Sequence, residues 1–212
     1  MTITGAIKST SARSRAWIAR LAHRLAGHAV RTGFLVGIIA VAATILSIVS
    51  APGAIGFLGA SLALLMLSVA VIDRRRFIIP DSLNAAGFCL GLVHSLVQQP
   101  DEMLSAVALA VIRGAALALL FLIIRYGYAR LRGRQGLGLG DVKLAGVAGA
   151  WLDWSLMPIV IEIAALTALT IYAVRQFLLG RPVSATSRLP FGLFFAPAIW
   201  ICWLLEALLA QF

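Results

Sequence analysis

The chain has 212 residues, 61% of them hydrophobic and only 12% charged, which leaves too few polar side chains to cover a water-soluble globule. A net charge of +10 would suit nucleic acid in a soluble protein, but the charges cluster between apolar runs in a pattern that points to a lipid bilayer and excludes nucleic acid as the partner. The expected fold is all-α: a polytopic membrane helix bundle of about six or seven transmembrane segments (33–212) behind a cytosolic basic arm (1–32).

In the arm, Arg13, Arg15, Arg20, Arg24 and Arg31 interleave with Trp17, Ile18, Leu21 and Leu25. That pattern fits a helix lying on anionic lipid, or else a disordered topogenic tail. The basic stretch is too long, and the run after it too extended, for an ordinary cleaved signal peptide, so the arm is read as retained. Five segments are apolar enough to cross a hydrocarbon core of roughly 30 Å as helices: 33–50, 54–72, 103–124, 156–178 and 190–211. Two are weaker. Segment 83–98 is marginal in length and contains His94, and 142–152 is so short that it must tilt, re-enter or pack inside protein. If all seven cross with a cytosolic N-terminus, every lysine and arginine except Arg113 falls on the cytosolic side or at its helix ends, the positive-inside arrangement. The far side carries Asp101, Glu102 and Asp153, with Glu206 near the final end.

Three of the eight acidic residues, Asp73, Asp81 and Asp141, fall at the cytosolic boundary, each next to a helix end. A carboxylate at that depth is costly unless paired or used. In "VIDRRRFIIPDSLN" (71–84), Asp73 ends the second span, the three arginines are topogenic, and Pro80 breaks the chain. Asp81 then reads as an N-cap of the following helix or as part of the site, while the alternative for Asp73 is a partner to its arginines. In "GLGLGDVKLAG" (136–146), the glycines allow a tight turn and close approach, and Asp141 begins the short helix. Two carboxylates at one depth can activate a water and protonate a carbonyl, which is aspartyl protease chemistry. The histidines lie elsewhere, Cys89 and Cys202 are read as core residues, and no metal-ligand cluster or phosphate loop occurs, so neither metal nor cofactor is expected. A proton- or cation-coupled transporter would call for a midplane acid and an internal repeat, and the chain has neither.

Three stretches together resemble the type IV prepilin peptidases, whose membrane half belongs to the GxGD aspartyl proteases. "DRRRFIIPD" (73–81) is similar to the first aspartate element, "GLGDVKLAGVAGAWL" (138–152) to the second, and "LPFGLFFAPAIW" (189–200) to the segment opening the last helix. The resemblance implies cleavage of prepilin or type II secretion pseudopilin leaders at the cytosolic face of a bacterial inner membrane. Residue by residue, it places Asp73 and Asp141 as the catalytic pair, with Gly138, Gly140, Asp81, Lys143 and Pro190, Phe191 and Gly192 at motif positions. Larger members also methylate the new N-terminus with an added domain and commonly a four-cysteine zinc site. With two cysteines, this chain is expected to act as a peptidase without methyltransferase activity.

Three finer expectations follow. Helix dipoles would make Asp73, after a helix C-terminus, the acid and Asp141, before an N-terminus, the base. Lys143 offsets the pair's charge, meets a substrate carboxylate, or snorkels to lipid headgroups. Arg113, alone in the middle of a span, is expected to pair with Glu162.

Overall fold

The computed structural model describes residues 32–133, 136–177 and 190–211. The expected lipid-lying arm, Arg134, Arg181, Arg188 and Leu189 fall outside the described residues, as does the side chain of Arg175. Seven α-helices and no strand occur among the described residues: α1 (Thr32–Ser50), α2 (Ala54–Arg76), α3 (Asp81–Gln98), α4 (Met103–Arg132), α5 (Leu139–Trp151), α6 (Leu156–Phe177) and α7 (Gly192–Leu209). A 3-10 turn, Pro100–Glu102, leads into α4. Residues up to Ala42 and residues from Ala43 onward separate into two compact units, the boundary falling within α1, and everything below concerns the second.

Five helices, α1, α2, α4, α6 and α7, are long and apolar enough to cross a membrane, and they are the five expected from the sequence. Their outward faces carry Ile45, Phe57, Leu119 and Leu169, all more than half exposed, an apolar surface suited to lipid. α4 runs past the expected end at 124, because a helix continues into its polar flank until Gly133 stops it with a left-handed φ of 65°.

The short segment resolves as a buried helix. α5 has 13 residues, about 20 Å at 1.5 Å each, too short to span a bilayer. It is apolar on all sides, and from Asp141 to Trp151 every residue but Lys143 is buried, the placement open to such a helix. Small residues let its neighbours come close. A Cβ on Gly149 would lie 2.4 Å from the Arg113 carbonyl oxygen, and one on Gly114 would lie 2.8 Å from that of Gly146, so α4 and α5 meet backbone to backbone. Trp151 Nε1 donates to the Gly87 carbonyl at 2.8 Å, tying α5 to α3. On the other side of the core, the Trp203 ring of α7 occupies the space a side chain on Gly59 of α2 would need.

The charge in the middle of α4 has a different partner from the expected one. Arg113 pairs with Asp153, in the turn after α5, while Glu162 is exposed on α6. The close α4–α5 contact delivers the end of α5, and with it Asp153, to Arg113. His94 is buried at this end of the bundle, stacked on Trp151 with ring centroids 4.7 Å apart and accepting Trp203 Nε1–H at 3.1 Å.

Candidate active site

α2 carries Asp73 into its last turn, where the helix is stopped by Phe77 in the left-handed region at φ 55°, its N–H donating to the Asp73 carbonyl at 2.9 Å. A non-glycine residue held there costs about 1–2 kcal/mol, which the burial of Ile79 beyond it helps to offset. Asp73 is itself buried, at 5% exposure, and its side chain does not simply answer the neighbouring arginines. Its Oδ2 accepts the Leu193 N–H at 3.0 Å, 120 residues along the chain.

That bond brings the third motif into the site. Leu193 opens α7, and its N–H is shared with the Pro190 carbonyl at 3.3 Å. Phe191 caps the helix and stacks on Phe195 with centroids 5.1 Å apart, which fixes the direction in which α7 leaves the turn. Gly192 lies against Asp73: an added Cβ would sit 3.0 Å from Asp73 Oδ2 and 2.8 Å from Ile79 Cδ1.

Asp141 is buried at 9% exposure. It is not the residue before the helix but the third residue within it, because α5 begins at Leu139 with Gly138 as N-cap. Its Oδ2 reaches back to accept the Gly138 N–H at 3.0 Å, one half of a capping box. None of the glycines at 136, 138 and 140 has a positive φ, so they serve close approach rather than an unusual turn. Gly140 makes room for Ile79, whose Cβ would be 3.0 Å from an added methyl. The same isoleucine, within the first aspartate element, therefore lies against both Gly140 of the second and Gly192 of the third motif. The carboxylates are near enough for Asp141 to feel the charge of Asp73.

Helix ends do not separate the two acids as expected. Asp73 follows the body of α2, yet its carboxylate also faces the N-terminus of α7, so each aspartate accepts a backbone N–H at a helix start. Tertiary packing supplies the donor that the chain order hides.

Two further expectations are corrected or refined. Asp81 is not an N-cap: Pro80, extended at φ −63° and ψ 135°, holds that position, and Asp81 makes no capping bond. Its Oδ1 instead accepts from Lys143 Nζ at 2.7 Å, an exposed bridge between the start of α3 and the second turn of α5. Lys143 thus has a protein partner beside the pair.

In the positive-inside pattern, Arg125 has only a topogenic role. It is 9% exposed, and its Nη1 donates to the Leu137 carbonyl, which anchors the glycine-rich turn. It also places a positive charge within reach of Asp141. Its one signal in the sequence is its place as the first charge after the long apolar run of α4. Among the described residues no three His, Cys, Asp or Glu side chains converge as a metal-ligand set.

Residues 60–174 match the profile of the type IV leader peptidase family. That stretch includes Asp73, Asp81, Asp141 and Lys143 and ends before α7. The chain is 34% identical over 126 residues to the leader peptidase HopD of Escherichia coli, covering 59% of this chain and 78% of that protein. It is 33% identical over 136 residues to a prepilin leader peptidase/N-methyltransferase of Burkholderia pseudomallei strain 1026b, covering 62% of this chain and 40% of that one. It is 35% identical over 120 residues to the protein of the same description from Dickeya chrysanthemi, covering 56% and 41%. The aligned part thus spans about two fifths of the two longer relatives. No solved structure matches the chain at a significant level.

Proposed function

The chain belongs to the type IV leader peptidase family, and from that premise we propose that it is an intramembrane aspartyl endopeptidase, with Asp73 and Asp141 as its catalytic pair. Its substrates in this reading are type IV prepilins or type II secretion pseudopilins, cut at the cytosolic face of the inner membrane between the leader and the hydrophobic segment that follows. The observation that carries the reading is a pair of buried carboxylates on separate helices, each held by a backbone N–H, on elements that meet at Ile79.

The chemistry follows from that arrangement. One carboxylate, ionised, takes a proton from a water as the water oxygen attacks the scissile carbonyl carbon. The other, protonated, gives its proton to the carbonyl oxygen. When the C–N bond breaks, the proton taken from water passes to the leaving nitrogen, so acid and amine products form with one water consumed. Two like charges in a poorly hydrated site resist double ionisation, which favours a single proton shared by the pair. Arg125 holds the turn under Asp141, and the Asp81–Lys143 bridge holds α3 and α5 in register at the rim.

The proposal is confined to the peptidase step. Cys202 is buried in α7 and Cys89 is exposed on α3, and neither belongs to a four-cysteine metal set. The test is gel-shift cleavage of a co-expressed pilin-type reporter by wild type, Asp73→Ala and Asp141→Ala at matched membrane levels. Cleavage by wild type alone is expected. Cleavage that survives both substitutions would refute the pair, and a wild type inert toward several pilin-type leaders would refute the substrate class.

A further inference from the structure

Asn84 is the fourth residue of α3 and is 5% exposed, yet neither its Nδ2 nor its Oδ1 has a hydrogen-bond partner among the described residues. A primary amide buried at both ends in an apolar bundle is costly, and such a group calls for an explanation. The other orphaned atoms, Arg113 Nε and Glu206 Oε2, are charged groups that share one electrostatic cluster with Asp153 at the opposite end of the bundle. Asn84 is neutral and has no such company.

Its depth follows from its neighbours. One turn beyond it, Gly87 faces Val147 of α5 and Met66 of α2. One turn before it, Asp81 bridges to Lys143. Asn84 therefore lies where α3 faces the two helices that carry the aspartates. Counting 1.5 Å per residue from the Gly87 level puts Asn84 roughly 5 Å further into the bundle than Asp73 and Asp141.

An amide presents one donor direction and one acceptor side by side, which is the complement of a peptide unit's C=O and N–H. A peptide bond being cut must leave the helix, and its neighbours' backbone groups then need partners that lipid does not provide. Building on the peptidase reading, we infer that Asn84 binds the unwound main chain of the substrate on the membrane side of the scissile bond. At roughly 3.3 Å per residue for an extended chain, its depth corresponds to a peptide unit one or two residues past the cut. Asn84 is thus a substrate-positioning residue that recognises backbone rather than side chains, so it accommodates leaders whose following residues differ.

The experiment combines Asn84→Leu with backbone esters in a synthetic pilin-type peptide, one ester at a time at the first three peptide units after the cut. Leucine is close to asparagine in size and removes the orphaned polar atoms, so a purely structural amide predicts a variant of equal or higher thermal stability with unchanged kinetics. The inference predicts equal or higher stability together with a fall in kcat/KM of about ten- to a hundred-fold. It also predicts that one ester slows wild type by a comparable factor and slows Asn84→Leu no further, since both remove the same interaction. Wild-type kinetics in Asn84→Leu, or an ester effect of equal size in both enzymes, would overturn it. If the variant does not fold, the ester series on wild type decides: loss at one position supports the inference, and no loss at any of the three overturns it. Asp73→Ala and Asp141→Ala serve as controls, because a wild type that cuts no leader peptide refutes the peptidase reading and this inference together. A wild type that cuts while Asn84→Leu cuts equally well refutes the inference alone.

Discussion

Gly192→Ala is the smallest change that separates the site's geometry from its fold. The new methyl would sit 3.0 Å from Asp73 Oδ2, 3.2 Å from its Cγ and 2.8 Å from Ile79 Cδ1, whereas carbon atoms in contact settle near 3.5–4.0 Å. The isoleucine tip can yield, but the carboxylate can do so only by rotating away from the Leu193 N–H. A side chain forced about 30° off its rotamer loses about 0.5–1.5 kcal/mol. A weakened hydrogen bond to a charged group adds up to about 1.5–3 kcal/mol. If half or more of that sum falls on the transition state, kcat/KM drops about ten- to a hundred-fold, since each 1.4 kcal/mol is about a factor of ten. Stability changes little, because alanine favours a helix by about 0.5–1 kcal/mol over glycine and offsets part of the strain. Gly140→Ala is the matched control: the three atoms nearest its methyl all belong to Ile79, at 3.0–3.5 Å, and not to a carboxylate, so the loss of activity should be much smaller. The assay is peptide cleavage by purified enzyme, with melting temperature measured on the same samples. Gly192→Ala within twofold of wild type in kcat/KM, or the two variants equally impaired, would refute the reasoning.

Arg125→Met removes the donor to the Leu137 carbonyl and the positive charge near Asp141, and a drop in kcat of about ten-fold or more is expected from the loss of a charged hydrogen bond, with Arg125→Lys restoring part of it. Steady-state kinetics on the two variants check this. The Asp81–Lys143 bridge is exposed, so its coupling energy in a double-mutant cycle by thermal or denaturant unfolding should be about 0.2–1 kcal/mol. Asp153 is largely exposed and stays hydrated when its partner is removed, so Arg113→Met should cost only about 0.2–1 kcal/mol through the lost pair, whereas Glu162→Gln should stay within about 0.5 kcal/mol of wild type. Unfolding in a mild detergent compares the two.

Burial and hydrogen-bonding of distant segments account for where sequence reading succeeded and where it stopped. The five long helices were legible because a bilayer imposes a minimum length of apolar chain, a constraint that each segment meets or fails by itself. The two aspartates stood out for a related reason: ionisable groups are so rare in such segments that each is conspicuous. The shortness of segment 142–152 was also readable, but whether it tilts, re-enters or packs inside protein was not, and the structure makes it a buried helix of 13 residues.

Partners were not legible in the same way. Asp81 looks like a cap in its local sequence, but α5 brings Lys143 to its carboxylate while Pro80 occupies the capping position. Counting along the segments puts Arg113 and Glu162 at comparable depths, yet Glu162 is exposed on α6 and the end of α5 delivers Asp153. Asp73 stands at the end of one helix by chain order and at the start of another in space, because α7 returns after 120 residues to offer the Leu193 N–H. Sequence alone determined that this is a helical membrane protein and singled out Asp73 and Asp141 among its few acids. Only the tertiary structure decided which groups each acid meets, because depth follows from the length and polarity of one segment, while a partner depends on how two helices are rotated and packed.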